Sequence, residues 1–281
     1  MYFAENMGEY LSLDEVSLSK CELYTFLTNK NGRGKKGTLI SCTGSTLANE
    51  IIATIKKIPI EDRERVKEVT VDMARNMEAA IKECFPNAKI VTDRFHVVKL
   101  VLDALQHLRI SLRWEAIDAE NEAIAKAKTE NIRYAPERYT NGDSLKQLLA
   151  RSRYILAKKR NQWTSNQKQR AEILFTQYPQ LERAYNHCLQ FRNIYEAENK
   201  TEARDRLDKW KDENQKLNLK KFNIAANSIT YNQENILNFF TNRSTNASAE
   251  SFNSKIKLFR ANLRGVSDTP FFLFRLAKLF A

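Results

Sequence analysis

Three carboxylates occupy positions that solubility alone does not explain. Asp14 breaks into the apolar alternation of Leu11, Leu13, Val16 and Leu18, where strand propensity disfavours it and where a charge beside a hydrophobic face needs compensation. Asp72 directly follows Val69-Thr70-Val71, and ligands of open α/β sheets bind at the carboxyl ends of the strands. Glu250 opens segment 246–257. On a helix, Phe252, Ile256, Phe259 and Leu263 form an apolar stripe there, with Glu250, Asn253, Ser254 and Lys257 on the opposite face. Two carboxylates brought together repel, and the pKa of one rises, unless divalent cations neutralise them; oxygen ligands suit a hard metal. Glu250 facing the sheet would add a further oxygen. Asn253 would orient it or a phosphate, and Lys255 or Lys257 would meet a nucleic-acid backbone. Each acid also has a plainer explanation, as a turn former or cap at Asp72 and as a first-turn helix acid at Glu250. Glu15 competes with Asp14, but alternation sends the two to opposite faces, so only one can join Asp72.

The elements that must position these residues are legible in outline. Residues 10–19 and 23–28 read as strands, 31–37 as a glycine-rich turn and 38–43 as a third, β-branched strand, a three-stranded meander. Apolar residues at helical spacing over 47–58, a strand at 66–71, a helix at 77–85 and a strand at 89–92 complete a βββαβαβ order. Beyond Asp93 the character changes. Residues 97–128 and 145–219 are charged and helix-periodic, Gly142 is the only glycine between Gly44 and Gly265, and 131–143 reads as a mobile connector. The expected division is therefore a core over 1–96, a helical insertion over 97–240, and a glutamate helix with a basic tail over 241–281.

Composition narrows the partner. Among 281 residues, 7 Gly and 5 Pro exclude collagen-like and linker-like chains, and 42% hydrophobic residues with 15 Phe suffice for a core. Lys and Arg number 46 against 34 acids, a net charge of +12 that favours a polyanion, nucleic acid first. Cysteines 21, 42, 84 and 188 and histidines 96, 107 and 187 lack zinc or disulfide spacing and read as buried thiols and scattered rings. No Ser-His-Asp or Cys-His order points to a protein nucleophile. With no apolar run of membrane-spanning length and no leader-like start, a cytoplasmic location and no membrane partner are expected. Trp114, Trp163 and Trp210 lie in the helical stretch, where core packing competes with base stacking.

A resemblance sharpens this. Thr92-Asp93-Arg94-Phe95-His96-Val97-Val98-Lys99, preceded by Phe85-Pro86-Asn87-Ala88 and Val71-Asp72-Met73, resembles the DRFH signature of the ISL-three family of bacterial insertion-sequence transposases. Thr245-Asn246-Ala247 through Glu250, then Asn253-Ser254-Lys255-Ile256-Lys257, is similar to that family's terminal glutamate helix, and Leu13-Asp14-Glu15 to its opening strand. The resemblance implies an α/β, RNase H-like (retroviral integrase-like) mixed sheet with a large all-α insertion before the glutamate helix. It implies Asp14, Asp72 and Glu250 as ligands of two Mg²⁺ ions, with Mn²⁺ as a substitute. Asp93 and His96 match the signature too, in either a catalytic or a loop-holding role. The implied activity is DNA cleavage and strand transfer by in-line attack on phosphorus, in a synaptic homo-oligomer on transposon ends and target DNA. Arg94, Asn253, Lys255, Lys257, Arg260 and Arg264 are the expected DNA contacts, within a tail where cations outnumber acids. The family usually carries an N-terminal zinc and helix-turn-helix region, so end recognition is expected from a separate protein, unless the copy is shortened. The competing classes are an inactive or domesticated transposase acting as a DNA-binding protein, and a nuclease that hydrolyses without joining ends.

Overall fold

The computed structural model describes residues 1–18, 23–263 and 268–281. Cys21 and Arg264 lie outside them. The chain divides into two compact units, Met1–Val97 with Asn232–Ala281, and Val98–Tyr231.

The first unit is built on a five-stranded mixed sheet, order β3-β2-β1-β4-β5. Strands β1 (Tyr10–Ser17), β2 (Leu23–Asn29) and β3 (Leu39–Thr43) form the antiparallel meander, and β4 (Glu68–Val71) and β5 (Lys89–Thr92) join in parallel. The α/β expectation holds, and each expected strand exists with ends moved by up to two residues. Between β3 and β4 lie α1 (Ala48–Ile55) and a short α2 (Ile60–Glu64) that the sequence reading misses; α3 (Arg75–Cys84) links β4 to β5. Pro59 explains α2: it ends the preceding turn and fixes a φ suited to a new helix start.

Alternation along the strands splits the sheet into two apolar faces. Leu11, Leu13, Leu27, Ile40, Val69, Val71 and Ile90 pack under Ile51, Ile55, Met77 and Ile81 of α1 and α3. On the other face Val16, Phe26, Leu39 and Cys42 meet Phe252 and Ile256 of the helix at Ala247–Asn262 and Phe272 and Leu276 of the helix at Thr269–Phe280. Asp14 pairs across the meander with Phe26 and so belongs to this second face.

In the other unit, α4 (Arg94–Thr129, its first residues in the strand-bearing unit) is followed by α5 (Leu145–Arg151), α6 (Ser165–Gln177), α7 (Pro179–Ile194), α8 (Lys200–Leu217) and α9 (Lys220–Tyr231). The connector is less loose than its composition suggests. Asp143 is fully buried, paired with Arg151 and with Arg170 Nε at 2.8 Å, and Tyr139 N–H bonds its carbonyl at 2.9 Å. Trp163 and Trp210 are core residues, whereas Trp114 is exposed. No helix among the described residues is long and apolar enough to cross a membrane.

The short α10 (Gln233–Leu237), within the expected helical insertion, and α11 (Phe239–Asn242), which straddles its expected end at 240, dock in the strand-bearing unit. Asn238 Nδ2 donates to the Ile90 carbonyl at 2.9 Å, Asn235 Nδ2 to Glu78 at 3.2 Å and Asn242 Nδ2 to Glu68 at 3.2 Å. Then follow α12 (Ala247–Asn262) and α13 (Thr269–Phe280).

Candidate functional site

The parallel register of β1, β4 and β5 gathers the aspartates. Ser12 is level with Thr70, so two residues further on Asp14 comes level with Asp72; Val71 is level with Thr92, so Asp72 and Asp93 are the next residues on their strands. Asp93 N–H also bonds the Val71 carbonyl at 2.8 Å. Glu15 points the opposite way from Asp14 and is exposed.

Helix α12 lies over this cluster with its polar flank toward it. Asn253 Nδ2 donates to Asp14 Oδ2 at 2.7 Å and Asn246 Nδ2 approaches the same oxygen at 3.5 Å. The Asn246 side chain also accepts from Ser12 Oγ, and its backbone N–H faces the Asp93 carboxylate. Glu250 is exposed, one turn beyond Asn246 and three residues before Asn253, hence on the same helical face as both asparagines.

Burial dominates the electrostatics of these acids. Burial, then the charge of Asp72, push the Asp14 carboxyl up to about 6, against the Glu15 N–H, the Asn253 amide and the charge of His96. Burial also raises Asp93, and burial with Asp72 raises Glu15. Asp93 caps α4, with Oδ1 accepting from Phe95 N–H at 3.4 Å; its buried Oδ2 makes no hydrogen bond, and His96 Nε2 stands 3.9 Å away. Asp72 Oδ1 accepts from Ala74 N–H at 2.8 Å.

A family model described as Transposase matches residues 11–276. The chain belongs to the ISL-three family of transposases. No curated protein and no solved structure matches it.

For a transposase the donor set is informative. Among the described residues no three His, Cys, Asp or Glu side chains stand together as a metal-holding group, and Glu250 is exposed. Asp14 and Asp72 nevertheless fit a hard divalent cation: they offer carboxylate oxygens, and a cation against them would offset the burial cost, and with it the smaller repulsion from Asp72, that raises Asp14. The buried Asn253 Oδ1, which makes no hydrogen bond, adds an oxygen beside Asp14.

The expected DNA contacts divide. Arg94 and Lys257 are exposed. Asn253 is instead committed to Asp14, and Lys255 Nζ donates to the Gly34 carbonyl at 2.7 Å. Arg260 is 7% exposed, its guanidinium 5.0 Å from the Phe272 ring, and packs α12 against α13. Ser12, Lys30, Glu68, Thr70 and the contacts of Asn246 also line this region, unanticipated from the sequence. Lys30 Nζ pairs with Glu68 Oε1 at 3.1 Å and donates to Thr70, filling the floor beside Asp72. Polar residues alternating inside apolar strands, Ser12 before Asp14 and Glu68 and Thr70 before Asp72, were the available signal.

Proposed function

We propose that this transposase cleaves insertion-sequence DNA and joins its 3′ ends to a target by two-metal in-line phosphoryl transfer. The core is read as RNase H-like, with the helical unit as its insertion; the mixed sheet order is compatible with that fold. The observation that carries the reading is the convergence of Asp14 and Asp72 on adjacent parallel strands, under the helix that bears Glu250.

Asp14, Asp72 and Glu250 would hold two Mg²⁺, or Mn²⁺ in their place; when bound, these supply charge stabilisation at the attacking and leaving oxygens. Asn253 fixes the rotamer of Asp14, so its oxygens are aimed before substrate arrives. Asp93 and His96 sit at the start of α4, where His96 orients against Asp93 and faces the scissile phosphate. Arg94 and Lys257 meet the DNA backbone without reading sequence. Ends are paired in a homo-oligomer.

Asp14→Asn, Asp72→Asn and Glu250→Gln each reduce Mg²⁺-dependent nicking of a plasmid carrying the element's ends to background, with circular dichroism and metal-free DNA binding retained. Wild-type nicking by any of the three variants removes that residue from the site. Recovery of plasmid–element joints from the wild-type protein separates a transposase from a nuclease that only hydrolyses.

A further inference from the structure

We propose that the turn between β2 and β3, residues 30–37, is a grip for the phosphate backbone of duplex DNA on the catalytic side of the sheet. The inference rests on the transposase reading and extends it to a surface outside the acid cluster.

The turn, Lys30-Asn31-Gly32-Arg33-Gly34-Lys35-Lys36-Gly37, carries four cations and no acid. Arg33, Lys35 and Lys36 are exposed, and among the described residues none of them pairs with an acid. Elsewhere in this unit Lys56, Lys67 and Lys82 pair with Glu83, Glu9 and Glu78, whereas the exposed Lys57, Lys89, Lys257 and Lys278 pair with no acid among the described residues, so what sets the turn apart is three such cations close together on one loop. A run of uncompensated charge on a turn is the footprint of a polyanion rather than of ordinary solubility.

Two anchors fix the turn on the face that α12 covers. Lys30 reaches Glu68 and Thr70 on β4, the strand that ends in Asp72. Lys255, two residues after Asn253, donates to the Gly34 carbonyl. Gly34 is needed for this: its φ is +69°, and a Cβ there would lie 2.9 Å from Lys255 Nζ. Asn29 closes the start by accepting from Asn31 N–H at 3.0 Å. Arg33 adopts a left-handed φ of 50° at the end of the short helical turn over Lys30–Gly32. The cations are thus held in place before DNA arrives, which lowers the ordering cost of binding. Contacts of this kind position a duplex and carry no sequence information.

The test compares two charge-matched variants by fluorescence anisotropy on a duplex fragment, without divalent cation, across a salt series. One combines Arg33→Asn, which tolerates the left-handed backbone, with Lys35→Gln and Lys36→Gln. The other combines Lys56→Gln and Lys57→Gln, just after α1, with Lys82→Gln on α3, at the opposite face. Each lost phosphate contact lowers the slope of log K against log salt by about 0.9, so the turn variant is expected to lose about 2 to 3 in slope and at least about tenfold in affinity at low salt, with the control variant near wild type. An unchanged slope in the turn variant, or an equal loss in the control, overturns the proposal. Because no metal is present, this outcome is independent of whether Asp14→Asn abolishes nicking.

Discussion

At the scale of single residues, the side chain that says most about the site is Asn246. An asparagine at a helix N-cap ordinarily accepts a hydrogen bond from the first turn, and this one makes no such cap bond. Its amide is spent across the gap on Ser12 and Asp14, at 1% exposure. Asn246→Ala would leave the buried Ser12 hydroxyl without its acceptor and remove one of the two amides that approach Asp14, at a cost of about 1 to 3 kcal/mol. The expected result is a lower urea midpoint by circular dichroism, together with faster hydrogen exchange in the first turn of α12. Unchanged exchange there would mean that the contacts to β1 do not hold the helix. Asn246 was visible in the sequence only as part of a family-like string, since nothing local says that an asparagine before a helix will look outward. Asp14 and Asp72 were more legible, because a charge inside or ending an apolar strand costs free energy that something must offset. The burial of Arg260 was not legible. This residue continues the spacing of Phe252 and Ile256, so its stem follows the buried stripe, and arginine tolerates that by covering a ring with its guanidinium.

At the scale of elements, α12 ties the core to the candidate site, since one helix packs apolar residues on the sheet and presents polar ones to Asp14. Phe252 is fully buried, with its ring edge-on to Phe26 at 6.1 Å and to Phe280 at 5.0 Å. Phe252→Ala is expected to cost about 3 to 5 kcal/mol and, because Asn253 is its neighbour, to depress nicking as well. Leu258 on the same helix is 63% exposed, and Leu258→Ala is expected to change stability by less than about 0.5 kcal/mol. Equal effects of the two substitutions in urea titrations would contradict the packing of α12 on the sheet. The strands and α12 could be read because their periodicity is clean. The stretch over 145–219 could not be divided, because its breaks use residues that helices also tolerate. Thr164 starts α6 with a capping box, Pro179 opens α7 at a position where its missing N–H costs nothing, and Asn199 caps α8 by accepting from Glu202 N–H.

At the scale of the molecule, all three tryptophans belong to Val98–Tyr231, so their fluorescence follows the unfolding of that unit alone. Two buried titratable groups set its acid response. His187 stacks on Trp210 at 4.6 Å and meets Asn214 Oδ1 at 3.2 Å; burial pulls its pKa below the usual 6.5, although the Asn214 bond opposes this. Burial raises Asp143, but the Arg170 hydrogen bond and the charges of Arg170 and Arg151 outweigh it and hold the carboxyl below 3.8. As pH falls through 6.5 the unfolded chain takes up a proton at His187 that the folded unit does not, so stability declines until the folded pKa is passed. Asp143 acts lower: its stabilisation is present above 3.8 and is lost only as pH falls below that toward its folded pKa. The tryptophan-monitored urea midpoint should therefore drop first just below pH 6.5 and again below pH 3.8. His187→Gln, which keeps a polar partner for Asn214 and cannot take up the proton, should flatten the first drop and leave the second. A first drop that survives in His187→Gln would place the responsible group elsewhere in the helical unit.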